Sequence, residues 1–424
     1  MNDRRQLGRE LGLFDSDPLI GAGLPYWLPA GAAIRHAIEE FVREVERRAG
    51  YQHVYSPVLG KRELYEVSGH WAHYRDDMFP PMGAGSDQMV LRPSLCPHHA
   101  LIYRSRQRSY RELPLRLAEL GGQFREEASG ALGGLTRVRA MQLNDAHVFC
   151  PPADIATEVA AILDMIGQAY DALGIRAHHY RLSLRGGTGK YAGDAEMWDR
   201  GEQALAEVLD RRGLRYESAA GEGAFYGPKI DVQILDPAGR ESTLSTVQLD
   251  FYQPRQFGLV YVAADQSLQR PVMIHRSIVG SLERLVAHLT EVHAGAFPTW
   301  MAPVQVVVLP VACQQLPAAA SLLRRFIHAG LRAEISGPDR GTLGARIRSH
   351  RLVPYQAIVG ARETANDTVS LRLRTGLALD PIPARDAADH ILAAADHILA
   401  AADHILAGAG PLNQEPGNRT ALKG

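Results

Sequence analysis

Leu113-Pro-Leu-Arg-Leu-Ala-Glu-Leu-Gly-Gly-Gln-Phe-Arg-Glu-Glu127 and Thr136-Arg-Val-Arg-Ala-Met-Gln-Leu-Asn-Asp-Ala-His147 decide how this chain folds. Leu115 to Leu120 reads as a strand that Gly121-Gly122 breaks, and 126–136 is a glycine-spotted loop. From Arg137 to Leu143 the chain alternates again as a returning strand, so the segment is a long antiparallel hairpin. Upstream, Ile34, Ile38, Phe41, Val42 and Val45 recur at helical spacing over 31–49. Gly50 stops that helix, and Tyr51 to Pro57 reads as a strand ended by proline. Downstream, a helix over 153–173 and a hairpin over 222–252 lead to Pro271, where the strand Val-Met-Ile-His275 feeds a helix with Val279, Leu282, Leu285, Val286 and Leu289 on one face.

Phe-Pro-Thr-Trp-Met-Ala-Pro303 punctuates the chain, and beyond it the pattern changes. Strands at Val304–Leu309, Arg332–Ile335, Tyr355–Val359 and Val369–Leu373 alternate with helices over 317–330 and 342–351, as in a compact α/β module covered on both faces. Ala-Asp-His-Ile-Leu-Ala-Ala occupies 388–394, recurs at 395–401, and continues in most of a third copy to Ala407. Such a repeat is a coiled-coil seam or a tandem duplication lengthening a terminal helix. Duplication is the simpler reading, because a coiled coil needs about 3–4 heptads. Residues 408–424 read as a frayed tail.

Composition bounds the function. In 424 residues, 46 basic against 47 acidic side chains leave a net charge of −1, which excludes a polybasic nucleic-acid coat but not a local basic face. The only lysines are Lys61, Lys190, Lys229 and Lys423, so a lysine inside a motif is informative. Three cysteines cannot build a disulfide framework and fit a reducing cytosol. The first residues carry no apolar run of signal-peptide type, and no stretch of about 18 apolar residues occurs, so a cytoplasmic protein without a membrane span is expected.

Phe124-Arg125-Glu126-Glu127 sets an arginine at the end of a strand, followed by a loop in which glycines let backbone approach a nucleotide. Taken alone, this is also an ordinary surface salt bridge. Gly280-Ser281-Leu282-Glu283-Arg284, opening a helix after an apolar strand, places a second arginine one turn in. With the helix–strand–proline unit at 31–57, the ordered set has three parts.

That set resembles the class II aminoacyl-tRNA synthetases, and specifically the threonyl-tRNA synthetase family. The resemblance is carried by Ser68-Gly-His-Trp71, Cys96-Pro-His-His99, Leu113 to Glu119, Thr136 to Arg139, Asn144-Asp-Ala-His-Val-Phe-Cys150, Gly221-Glu-Gly-Ala-Phe-Tyr-Gly-Pro-Lys229, Thr246-Val-Gln-Leu-Asp-Phe251 and Pro271 to Arg276, in order, across about 1–385. It implies an α+β class II synthetase catalytic domain over 1–300, an antiparallel sheet flanked by helices. A C-terminal α/β anticodon-binding-type domain follows over 301–407. The family's N-terminal ubiquitin-like and editing domains are expected to be absent.

By spacing alone, Cys96, His147 and His275 match no local zinc pattern and read as packed core residues. The resemblance makes them look like the family's zinc ligands, and three ligands leave a coordination position open. It further implies that Arg125 holds the α-phosphate of ATP, with Arg137 and Arg284 on the terminal phosphates, Glu127 among the ATP contacts, and Mg²⁺ bridging. Asp145 would orient the substrate hydroxyl, and Tyr226, Gln248 and Ser281 line the amino-acid pocket. Lys229 reads as a phosphate-side group and His70 as a group near the amino acid and the tRNA ribose, while Cys150 and Cys313 are left as core. The implied reaction is adenylation of threonine by ATP and transfer to tRNA, by a homodimer whose interface is the 31–57 unit. Without an editing domain, uncorrected charging with serine is expected.

The chain departs from the family at Leu143, where a glutamine is usual; at Ser94-Leu95; at Thr243-Leu244-Ser245; at Gly133; at Arg340; and at Leu373-Arg-Thr-Gly376. Leu143 and Leu244 are expected to add apolar bulk to the pocket. These changes read as divergence without change of activity, or as a paralogue retuned for inhibitor resistance, a different β-hydroxy amino acid or a different acceptor. A non-catalytic binding protein is the third reading, disfavoured by the retained arginines.

Overall fold

The computed structural model describes residues 4–187 and 191–394. Eight strands form the main sheet: β1 (Gln52–His53), β2 (Leu115–Phe124), β3 (Ala140–Cys150), β4 (Ala177–Leu184), β5 (Tyr216–Ala220), β6 (Lys229–Leu235), β7 (Glu241–Asp250) and β8 (Val272–Ser277). Their spatial order is β5-β4-β6-β7-β8-β3-β2-β1, antiparallel except for the parallel edge pairs β5/β4 and β2/β1. The 51–57 stretch is thus mostly loop, with only Gln52 and His53 paired.

The expected hairpin is β2/β3, in register from Leu115↔Phe149 to Phe124↔Ala140. Gly121-Gly122 does not break it. A Cβ on Gly121 would stand 2.7 Å from the Leu95 side chain, so the glycine clears room for a neighbour while the ladder runs on through it.

Even-numbered residues of β3 (Ala146, Val148, Cys150) join Ala118, Ile230, Val232, Val247, Leu249 and Ile274 in one core. Four helices cover that face: α1 (Pro29–Arg48), α3 (Ile155–Leu173), α4 (Ala195–Arg211) and α5 (Leu282–His293). Each presents an apolar stripe at helical spacing, and α1 buries the predicted Ile34, Ile38, Phe41, Val42 and Val45. A further helix, α2 (Cys96–Arg104), packs Ala100 and Tyr103 on Leu115, Leu117, Phe149 and Met273 from the opposite face. That places the first residue of α2 over the middle of the sheet.

A second core forms between residues 306 and 391. Its sheet contains β9 (Val306–Pro310), β10 (Ala333–Ile335), β11 (Tyr355–Val359), β12 (Thr368–Leu373) and β13 (Ile382–Pro383), ordered β10-β9-β11-β12-β13, with helices α6 (Leu316–His328) and α7 (Leu343–Ser349). The connecting segment is gripped by carbonyl contacts: Arg332 donates to the Ala302 and Trp300 oxygens at 2.9 and 2.6 Å, and Arg374 donates to that of Phe297. The Trp300 ring lies 5.2 Å from that of Phe41 on α1. Cys313, expected in the core, is exposed, because it lies in a single 3-10 turn ahead of α6. A terminal helix begins at Ala387 and includes the first repeat copy. The second and third copies and the 408–424 tail lie outside the described residues.

Candidate functional site

Strand alternation sends odd-numbered residues of β3 away from the helical core. Leu143, Asp145 and His147 share that face with Glu119 and Gln123 of β2, His275 of β8, Gln248 and Asp250 of β7, and Lys229 and Asp231 of β6. His147 and His275 are cross-strand partners, and Nε2 of the first lies 3.0 Å from Nδ1 of the second. Cys96 reaches them from the first turn of α2, and donor atoms of all three residues lie within 4.8 Å of one another.

Each imidazole is anchored on its far side. The Nε2–H of His275 donates to Asp250 Oδ2 at 2.8 Å, leaving Nδ1 as a lone pair. Glu119, held by buried Arg92, lies 3.4 Å from His99 Nε2, and His99 Nδ1 lies 2.8 Å from His147 Nδ1. Counted inward from that carboxylate, His99 donates to Glu119 and His147 donates to His99, so His147 also presents a lone pair. Two lone pairs therefore face each other at 3.0 Å, a contact that needs a proton or a cation between them. A buried thiol, two imidazoles with fixed tautomers and carboxylate or histidine partners behind them fit a zinc-type ion.

The electrostatics put a proton, carried by His275, in that contact. Burial pushes the Cys96 thiol up, yet the charges of His70 and His275 overcome it and hold it below its usual value. Burial also opposes charge on His275, but Asp250 and Cys96 raise it to about 10, while burial and the neighbouring His275 and His99 drive His147 well down. Asp145 accepts from Gln123 Nε2 at 3.1 Å, and burial followed by the Cys96 thiolate raises its carboxyl to about 6.

His70 joins the cluster from a short helix, His70–His73. Its Nε2 lies 2.9 Å from Ser94 Oγ and 3.7 Å from Cys96 Sγ. Tyr226 stacks on His275 at 4.6 Å and donates to Gln248 Oε1 at 2.6 Å. Lys229 is bound to Asp231 at 2.7 Å. Arg125 follows β2 and lies over the Tyr74 ring, and its buried Nε has no hydrogen-bond partner among the described residues. Arg137 donates to Glu127 at 2.7 Å, and Arg284 donates to the Thr243 carbonyl at 3.2 Å. Burial lowers the proton affinity of Arg284, and the positive charges of Arg125 and Arg137 lower it further, so both guanidiniums lie close enough to act on Arg284. Ser281 caps α5 by accepting from the Arg284 backbone at 3.2 Å and bridges Leu143.

Sequence reasoning missed Asp250, His99, Glu119 and Gln123, and noted Ser94 only as a departure from the family. His99 stands three residues after Cys96 on a helix, and Asp250 two after Gln248 on a strand, so spacing alone aligned each with a site residue. One expectation is corrected. Leu244 does not face the pocket: the β6/β7 register slips beside it, turning it into the helical core at 4% exposure. Leu143 stays on the site face, and Leu95 packs over its cross-strand partner Gly121.

Two families match along the chain: the tRNA synthetase class II core domain (G, H, P, S and T) over 83–293 and the anticodon binding domain over 305–393. The crystal structure of the RNA binding domain of threonyl-tRNA synthetase from Cryptosporidium parvum superimposes with a TM-score of 0.88 at 34% identity, covering 92% of this chain and 98% of that one. The chain belongs to the threonyl-tRNA synthetase family. Threonine–tRNA ligase from Geobacillus sp. and threonine–tRNA ligase 1 from Bacillus subtilis are each 48% identical over 375 residues, 87% of this chain. This member of the threonyl-tRNA synthetase family spans 58% of the length of those relatives. Among the described residues, no helix is long and apolar enough to cross a membrane.

Proposed function

We propose that the chain carries the adenylating and anticodon-binding parts of a threonine–tRNA ligase, over 1–300 and 301–407, acting in the cytoplasm. The observation that carries this reading is the Cys96–His147–His275 cluster with Asp145 on one sheet face, together with an Arg284 whose proton affinity is lowered by the nearby charges of Arg125 and Arg137. Held by those three ligands, zinc would supply Lewis acidity toward the amino and hydroxyl groups of a β-hydroxy amino acid, and valine lacks the hydroxyl. Asp145, steadied by Gln123, accepts from the substrate hydroxyl. Arg125 draws the α-phosphate toward the amino-acid carboxylate, which attacks phosphorus as pyrophosphate leaves. Arg137 and Arg284 stabilise the charge on the leaving phosphates, to which Mg²⁺ would add further neutralisation. Glu127 orients Arg137, Lys229 neutralises the phosphate side, and Tyr226 and Gln248 wall the pocket beside His275. His70 sits where the acyl group passes to the ribose of tRNA.

Threonine-dependent ATP–pyrophosphate exchange by zinc-loaded protein tests this, and absence of exchange overturns it. Leu143 on the site face favours a second reading, a pocket retuned for a related β-hydroxy amino acid. Faster exchange with such a substrate than with threonine would establish it. The exposed Tyr55 after β1, at 82% exposure, supports homodimerisation through the 31–57 unit. A monomer by light scattering at micromolar concentration refutes that.

A further inference from the structure

A second cluster of metal-ligating side chains lies on the same sheet, outside the site described above. His178 and His179 are consecutive in β4, and in a regular strand they would point to opposite faces. The β6/β4 ladder slips there: Gln233 pairs with His179 but Ile234 pairs with Ala177, leaving His178 as the extra residue of a β-bulge. A bulge re-aims a side chain, and here both rings come to one side, with centroids 5.1 Å apart. Glu241 of β7 reaches across β6 to meet them, and donor atoms of His178, His179 and Glu241 lie within 4.8 Å of one another.

The carboxylate is divided between two partners. Glu241 Oε1 takes Arg181 at 2.5 Å, while Oε2 faces His179 Nδ1 at 3.5 Å. On the other side of the ring, His179 Nε2 is buried without a hydrogen-bond partner among the described residues, and Glu217 Oε2 stands 3.8 Å away. Two carboxylates against one guanidinium leave the cluster net negative. Donors on a tetrahedral zinc stand about 3.4 Å apart at bond lengths of ~2.0–2.1 Å, so closure needs only rotation of the exposed His178 and Glu241 side chains about a half-buried His179.

We propose that His178, His179 and Glu241 form a second divalent-metal site of the zinc class, with Glu217, on the far nitrogen of His179, as the carboxylate that orients the ring. An ion there clamps β4 to β7 across β6. It steadies the strand whose Thr243 carbonyl holds Arg284.

The probe is zinc alone, titrated into chelator-stripped full chain by calorimetry, with bound metal counted by elemental analysis. Wild type is expected to bind two ions per chain and Cys96→Ser one. In the Cys96→Ser background, His179→Ala or Glu241→Gln is expected to abolish the remaining ion. His178→Ala, altering an exposed residue, gives the same loss with an unchanged circular dichroism spectrum. Cobalt in Cys96→Ser should show ligand-field bands without thiolate charge transfer. A folded Cys96→Ser protein that binds no ion, or an ion that survives both His179→Ala and Glu241→Gln, overturns the proposal. Neither result bears on the cluster at Cys96.

Discussion

Replacing His99 by alanine should weaken zinc binding without abolishing it. His99 is fully buried and touches no substrate in the proposed scheme; its work is to accept the Nδ1–H of His147 at 2.8 Å and pass the contact to Glu119. Without it, the His147 proton either goes unpaired or moves to Nε2, the atom that faces Cys96 and His275. Loss of an orienting partner typically costs 10–100-fold in metal affinity, about 1.4–2.7 kcal/mol. The upper bound holds because Asp250 still anchors His275 and the Cys96 thiolate is untouched. Glu119 keeps Arg92 at 3.0 Å and Ser56 at 2.6 Å, so no carboxylate is orphaned by the change. Competition between stripped protein and a chromophoric chelator reads the affinity, with circular dichroism as the folding control. Glu119→Gln retains an acceptor for His99 and should lose less. Wild-type affinity in His99→Ala, or equal losses in the two variants, refutes the relay.

Glu46→Ala should cost about 3–5 kcal/mol in urea unfolding, since it strands Arg276, fully buried and paired to Glu46 at 2.8 Å; a loss below about 1 kcal/mol contradicts this. Burial raises the Glu283 carboxyl to about 7 from 4.5. Its folded form therefore holds an extra proton between those values, and that stability is present in acid and lost as pH rises through 7. Glu283→Gln should flatten the stability–pH curve across that window, by at most about 3 kcal/mol, and an unchanged slope counts against it. Serine carries both groups that zinc would recognise. Its exchange kcat/KM should therefore fall only about 10–200-fold below that of threonine, and a much larger ratio means a contact to the methyl beyond simple packing.

The hairpin, the helix–strand units and the change of pattern at Pro303 were legible because periodicity reports which face of an element is buried. Gly121-Gly122 misled for a definite reason: glycine reads as a breaker from sequence, whereas here it answers a side chain, Leu95, arriving from another element. Leu244 misled because a register slip inverts alternation without leaving a trace in residue type. The same kind of slip brings His178 and His179 together. The Arg92–Glu119–His99–His147 chain draws on four separate positions brought together by the β2/β3 pairing, α2 and the loop ahead of α2, so composition and spacing were silent about it.

Arg332 and Arg374, from the second core, seize backbone carbonyls at Phe297, Trp300 and Ala302, and Trp300 in turn packs on Phe41. A join pinned this way works as a bracket rather than a tether. A floppy tether offers a broad range of separations between two binding sites, each at modest effective concentration; a bracket concentrates the whole advantage at one separation. For a ligand that touches both cores, the gain from the second contact then depends on whether its own span matches that fixed distance. Lengthening or shortening a rigid ligand by one helical step should forfeit most of that gain, while cutting the two arginines should make the protein indifferent to ligand length.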